Sequence, residues 1–311
     1  MCEWAKVGIT MIKGEKILVT GGQGPVSGPV VRELAKSNDV HVLARFSRPG
    51  LKEELQTLGV TPIQGDLLEP FDQLADDFSY VFHSAYVPGP LPKTYHPANA
   101  QLTGRLMYHC RAAKGFLYAS SCSIYDTADT GLDNQIKESN RLGPHFALDY
   151  TLMKHATEEM IGFISMQFGI PASIIRIAAC YGPSGGSATV RLDKLVAGEP
   201  IELNPNKPTY YRSVYETDGV APTIAAMEAA SIPPLVVNWG ADDIVSIEEY
   251  VAYMGELTGL TPNIVYTDRA YTHMVPDLSR MHETIGHAAM PWREAMRRLV
   301  EARYPELLRL G

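Results

Sequence analysis

Short apolar runs alternate with amphipathic stretches through the first half of the chain. KILVTG, DVHVLAR, VTPIQGD, YVFHSAY, GFLYASS and ASIIRIA each read as a short buried strand. Helical spacing fills the intervals at residues 29–37, 51–58, 101–113 and 146–168. Strand and helix in alternation predict crossover units, hence an α/β fold with a doubly wound parallel sheet and helices on both faces.

The character changes after Tyr181. GPSGGS and LNPNKP are loop-forming, with a short helix expected at 190–197. A helix at 219–229 and a strand at 235–238 are expected to rejoin the sheet, and residues 247 onward read as short helices plus a strand at Ile264–Tyr266. The pattern predicts a smaller C-terminal substrate domain interleaved with the first. Residues 1–12 are expected to be a disordered extension, 13–180 plus about 212–240 the dinucleotide-binding domain, and about 181–211 plus 241–311 the substrate domain.

The first strand runs into a glycine-rich turn, ILVTGGQGPVSG at 17–28. Glycines there can take positive φ and let the backbone approach a phosphate, and the following helix aims its free amides at that anion. Gly21, Gly22, Gln23, Gly24, Pro25 and Val26 are therefore candidate pyrophosphate contacts. The second strand tests which dinucleotide is bound. An NAD site usually ends that strand with a carboxylate for the ribose hydroxyls, whereas Ala44 is followed by Arg45 and then Arg48. A guanidinium suits a 2′-phosphate, so NADP is favoured over NAD.

Composition narrows the class. Of 311 residues 45% are hydrophobic, enough for a sizeable core, and the net charge of −8 with no basic run argues against nucleic acid. Four scattered cysteines fit a reducing compartment better than a disulfide framework, and the N-terminus lacks a secretory pattern. No apolar run reaches a membrane span, so a cytoplasmic protein is expected. His282 and His287 stand five apart, poor spacing for shared ligation on a helix, and no metal site is expected.

Tyr150 and Lys154 lie four apart inside the 146–168 helical stretch, which puts phenol and ammonium on one face. The cation would lower the phenol pKa and fit it for proton exchange. The strand before ends in Ser120, Ser121, Cys122 and Ser123, hydroxyls at the carboxyl end that faces the ligand crevice of such sheets.

Six ordered landmarks then coincide: Thr20-Gly21-x-x-Gly24, Gly65-Asp66-Leu67, Ser-Ser-x-x-Ile-Tyr ending at Tyr125, Tyr150-x-x-x-Lys154, Arg176 with Tyr181-Gly182-Pro183, and Asn238-x-Gly240. Together they resemble an extended short-chain dehydrogenase/reductase of the NAD-dependent epimerase/dehydratase type, a Rossmann-type fold, over nearly the whole chain. The resemblance implies that Tyr150 is the acid/base, that Lys154 binds the nicotinamide ribose, and that Ser121 hydrogen-bonds the substrate oxygen. It places Asp66 and Leu67 at the adenine, adds Ser84 and Ala85 to the cofactor set, and implies a homodimer through the helix bearing Tyr150 and the 101–113 helix.

The departures matter as well. Ser27 stands where the family's third turn glycine is expected, with Pro25 inside the turn. Cys122-Ser123 replaces the Asp-Glu pair of sugar dehydratases, which argues against dehydration. Ala179 replaces an asparagine usual in nucleotide-sugar members, and the arginine that grips the diphosphate would fall near Tyr211 or Arg212. Tyr86, residues 88–92, Tyr95, Ser123, Tyr210 and Tyr211 are candidates for the substrate pocket. The leading expectation is an NADP-dependent oxidoreductase that interconverts a ketone and a secondary alcohol on a small or medium substrate. The alternatives are a nucleotide-sugar epimerase with tightly bound NAD(P) and a non-catalytic NADP-binding sensor.

Overall fold

The computed structural model describes residues 12–71, 74–87, 97–127, 130–143, 148–270 and 272–309. Positions 1–11, 88–92, Tyr95 and Phe146, which carry part of the expectations above, lie outside them. Ile12, assigned to the extension, belongs to the fold instead: it is buried, and its carbonyl accepts from Asn38 at 3.0 Å.

The chain begins β1 (Lys16–Thr20), α1 (Ser27–Leu34), β2 (Asp39–Ala44), α2 (Leu51–Thr57), β3 (Thr61–Gln64) and β4 (Tyr80–His83). It continues α3 (Pro97–His109), β5 (Gly115–Ser121), a 3-10 turn at Cys122–Ile124, α4 (Leu148–Phe168) and β6 (Ala172–Ile177). Every expected strand forms, while helix ends shift. α1 starts at Ser27 because the Gly28 amide already bonds to Gly24 O at 2.8 Å, and it tightens into i−3 bonds after Leu34. α3 starts at Pro97, since proline suits a first turn whose amides lack partners.

The second part runs β7 (Ala179–Gly182), β8 (Gly185–Gly186), α5 (Ser187–Ala197), β9 (Ile201–Leu203), β10 (Tyr210–Tyr211), β11 (Ser213–Tyr215) and α6 (Val220–Glu228). Then come β12 (Leu235–Trp239), β13 (Val245–Ser246), α7 (Ile247–Thr258), β14 (Ile264–Tyr266), α8 (Ser279–Thr284) and α9 (Trp292–Arg303).

Seven strands form one parallel sheet in the order β12-β6-β5-β4-β1-β2-β3. Both faces are covered, as the apolar runs require. Ile17 and Val19 pack toward α1 and α6, while Leu18, Val81 and Phe116 pack toward α3 and α4. A third apolar cluster joins Tyr181, Leu192, Tyr250, Met254, Met296 and Leu299 from the later elements.

The two sheet edges differ. β3 carries Pro62, which has no amide to offer. On β12, Arg280 donates to Val236 O at 3.0 Å, and Glu138 accepts the Asn238 amide at 2.8 Å. Strand order reverses between β1 and β4, and such a switch point opens a crevice outside the carboxyl ends.

Candidate active site

That crevice is a cavity of about 630 Å³ lined by Gly21, Gln23, Gly24, Arg45, Asp66, Leu67, Ser84, Ala85 and Tyr86 among others. Gly21 has φ +73°, and a Cβ there would lie 2.9 Å from the Ala85 backbone, so only glycine closes this turn. At Gly22 the neighbour is Val42, 3.0 Å from such a Cβ. Gly24 is open, with nothing nearer than Ser27 Oγ at 4.0 Å. Ser27 explains its own departure from glycine: its buried hydroxyl donates to Gly21 O at 2.7 Å and ties the turn to the start of α1. Pro25 and Val26 do not line the cavity; the Pro25 carbonyl faces Cys180 Sγ at 3.5 Å.

At the far end of the cavity Arg45 is exposed. Arg48 is engaged elsewhere, forked onto Glu54 at 2.8 and 2.6 Å. Asp66 accepts the Leu68 amide at 3.0 Å. A dinucleotide fits this frame: a turn with three glycines, a helix start and a cavity of cofactor size.

Beyond Tyr86 lie the hydroxyls of β5 and the α4 pair. Tyr86 packs edge-on against Tyr150, with ring centroids 5.4 Å apart. Lys154 is buried, donates to Ala119 O at 2.7 Å, and lies 5.7 Å from the Tyr150 ring and 4.7 Å from that of Tyr118. Burial lowers the Lys154 pKa to about 8, against an opposing pull from Glu158. Ser121 Oγ accepts the Ser123 amide at 3.1 Å and donates to Ser123 Oγ at 2.9 Å, so both hydroxyls stay half-buried at the strand end.

Behind this open group lies a closed one. Ser120 donates to Glu158, one turn after Lys154, and Arg176 grips the same carboxylate with Nη2 at 2.7 Å. Arg176 Nη1 reaches Tyr125 Oη at 2.8 Å, and Tyr125 donates to Asn238 Oδ1 at 2.7 Å. Asn238 in turn donates to Ile136 O at 2.8 Å. Three landmarks of the sequence, Tyr125, Arg176 and Asn238, thus brace one another beneath the site.

A second buried chain fixes the cavity wall. Thr103 donates to Asn99 O at 2.7 Å, so its oxygen must accept from His83 Nε2 at 2.9 Å. That leaves His83 Nδ1 to accept from Thr20 Oγ1 at 2.7 Å, and Thr20 accepts the Ala85 amide at 3.2 Å. Burial, helped by Lys154, lowers the His83 pKa to about 3 and keeps the ring neutral.

Sequence reading left His83, Thr103 and Glu158 unassigned. Glu158 had a signal, being four after Lys154 on the same helix face. His83 had a weaker one, a polar residue inside an apolar strand.

The other substrate candidates sit across β10 and β11. Tyr211 is half-buried and bridges to Met274. Arg212 is buried and donates to the carbonyls of Ala241 at 3.1 Å and Asp242 at 2.7 Å, and to Gln135 at 3.2 Å. Its Nε has no hydrogen-bond partner among the described residues. Burial lowers its pKa, countered by Asp242, Asp277 and Asp243. His282 and His287, set aside on helical spacing, do meet: α8 ends at Thr284, the chain reverses through Gly286 at φ +93°, and the rings stack at 3.9 Å.

A sequence model of the NAD dependent epimerase/dehydratase family matches residues 17–238. The chain belongs to that family. Among its relatives, an uncharacterized UDP-glucose epimerase, YtcB, of Bacillus subtilis (strain 168) is 25% identical, covering 82% of this chain and 85% of that protein. A 2-alkyl-3-oxoalkanoate reductase of Stenotrophomonas maltophilia (strain K279a) is 27% identical over 57% of this chain and 54% of its own length. Among solved structures, MoeE5 in complex with UDP-glucose and NAD superposes with a TM-score of 0.76 at 26% identity, covering 94% of this chain and 99% of that one. As an epimerase/dehydratase family member, the chain is an enzyme that works with a nicotinamide dinucleotide, which removes the sensor reading. No helix among the described residues is long and apolar enough to cross a membrane.

Proposed function

We propose that the protein epimerises a nucleotide sugar by oxidising and re-reducing one sugar carbon, with the dinucleotide retained through the turnover. The observation that carries the redox reading is Tyr150 packed edge-on at 5.4 Å against Tyr86 of the dinucleotide cavity, with the Lys154 ammonium 5.7 Å from its ring. The relatives support the substrate class, since one is named a UDP-glucose epimerase and the other was solved with UDP-glucose. They favour epimerisation over net ketone reduction, the order opposite to that suggested by the sequence.

When bound, the dinucleotide supplies hydride acceptance and return. Tyr150 Oη takes the sugar hydroxyl proton as its carbon is oxidised and returns a proton to the carbonyl oxygen. Lys154 Nζ offsets the charge left on the phenol oxygen. Ser121 Oγ, beside Ser123, hydrogen-bonds the reacting oxygen. Gly21, Gly22, Gln23 and Gly24 cradle the pyrophosphate, Pro25 and Val26 shape the turn, Asp66 and Leu67 flank the adenine, and Ser84 and Ala85 form the wall. Tyr211 and Arg212 are assigned to the substrate diphosphate by their place in the family pattern.

For the cofactor, residues 44–48 contain two arginines and no carboxylate, which supports NADP, with Arg45 as the 2′-phosphate contact. NAD in MoeE5 supports the opposite preference, and paired titrations decide. Residues 13–180 with about 212–240 are assigned to the dinucleotide, and about 181–211 with 241–311 to substrate. Exposed Tyr108, Leu152, Phe163 and Met166 on α3 and α4 support a homodimer through these helices, checked by light scattering. Free Cys110, Cys122 and Cys180 agree with a reducing, cytoplasmic location.

The test is conversion of UDP-glucose followed by proton NMR alongside the nicotinamide absorbance. An epimer forming with no net absorbance change supports the proposal. Product formed in step with cofactor oxidation or reduction supports the reductase reading, which the oxoalkanoate reductase and Ala179 favour. Failure to convert UDP-glucose or UDP-glucuronic acid would sink the substrate class.

A further inference from the structure

Asp242, His282 and His287 come from two separated segments, yet one ligand atom of each lies within 4.8 Å of the others. Asp242 Oδ1 meets His282 Nε2 at 2.9 Å, and Oδ2 meets His287 Nδ1 at 2.9 Å. We propose that these three side chains form a binding site for a divalent transition-metal ion, Zn²⁺ foremost, away from the dinucleotide cavity.

The donor set selects the ion. Two imidazoles with one carboxylate suit Zn²⁺ and its neighbours, whereas Mg²⁺ and Ca²⁺ seek oxygen shells. Zinc bonds of about 2.0–2.2 Å in a tetrahedron put ligand atoms roughly 3.3 Å apart. The two carboxylate contacts at 2.9 Å need to open by a few tenths of an ångström. The rings, stacked with centroids 3.9 Å apart, need to tilt so that both nitrogens aim at one point. To ligate, each ring gives up the proton it shares with Asp242 and offers that nitrogen's lone pair to the ion.

The ligands are held before any ion arrives. The Asp242 amide donates to Ala288 O at 2.9 Å and its carbonyl accepts from Arg212 at 2.7 Å. His282 is fixed on α8, and Gly286 at φ +93° holds the reversal that brings His287 back onto it. Side-chain exposures of 31% for Asp242, 32% for His282 and 49% for His287 leave the cluster open to solvent. Asp242, Asp243 and Asp277 all act on the Arg212 guanidinium, so three carboxylates accompany that cation on this side of the molecule.

Bound there, the ion would clamp α8 and the turn after it to the loop that carries the Arg212 contacts. The full chain, stripped of metal and free of any histidine tag, is titrated with Zn²⁺ by calorimetry and with Co²⁺ by its visible spectrum. One ion per chain is expected, with a tetrahedral Co²⁺ band, a Zn²⁺-dependent rise in Tm and no response to Mg²⁺. His287→Ala removes a half-exposed ring, so the fold should survive. Zn²⁺ should then bind at least about 10- to 100-fold more weakly, the cost of losing even an outer partner of a metal ligand. Asp242→Asn should do the same, while His155→Ala should change nothing. Absence of stoichiometric Zn²⁺ binding, or binding equally strong in both ligand variants, overturns the proposal.

Discussion

Ser120 and Ser121 are adjacent at the end of β5 but face different surroundings. Ser120 is buried and donates to Glu158, which Arg176 holds in a chain that runs on through Tyr125 to Asn238. Ser121 is half-buried, and among the described residues its hydroxyl meets only Ser123. Successive strand residues point to opposite faces, so one residue step separates a closed network from an open one. In the closed network each polar group has a partner and its value lies in stability. The open network keeps hydroxyls accessible, and its value lies in what binds there. Substitutions on the two sides should therefore separate turnover from folding.

The largest effect is expected at the candidate acid/base. Tyr150→Phe should lower turnover by roughly 10²- to 10⁴-fold, the usual contribution of a positioned acid/base, with Tm and dinucleotide affinity kept. Unchanged activity would remove Tyr150 from the chemistry. On the closed side Glu158→Ala leaves the Arg176 guanidinium buried without its carboxylate. A loss of about 3–5 kcal/mol is expected in urea melts, and Ser120→Ala should cost nearer ~1 kcal/mol. A Glu158→Ala chain as stable as wild type would mean the network is not closed.

The wall of the cavity gives a pH signature. His83 has a folded-state pKa of about 3, below its ordinary value of 6.5. Between these values the unfolded chain binds the extra proton, so stability falls as pH drops through that window. By pH 5 the loss is about 2 kcal/mol. His83→Gln should flatten this part of the pH–stability curve, and parallel curves would refute the buried neutral ring. A smaller effect is expected at the adenine end. Arg45→Ala should weaken NADP by roughly 10- to 100-fold, as for a lost charged hydrogen bond, and leave NAD nearly unchanged. Equal changes would show that Arg45 does not read the 2′-phosphate.

The parallel sheet was legible because its strands are apolar on both faces, as Ile17, Leu18 and Val19 illustrate with each fully buried. The turn at Gly21 was legible because positive φ and close approach both demand glycine. Tyr150 and Lys154 were legible through helical spacing. What escaped were contacts made by distant segments. The partners of His83 lie 20 and 63 residues away, and those of Asp242 lie 40 and 45 away. Local pattern carries no trace of such pairings. The spacing rule that dismissed His282 and His287 assumed one continuous helix, and the reversal at Gly286 breaks that assumption.

The finish of the two sheet edges bears on what this protein avoids. Pro62 interrupts the row of amide donors on β3, while Arg280 and Glu138 occupy a carbonyl and an amide on β12. Neither border offers another chain a clean template for strand addition. At high concentration, these two borders disfavour ribbon-like aggregation of copies through the seven-stranded sheet.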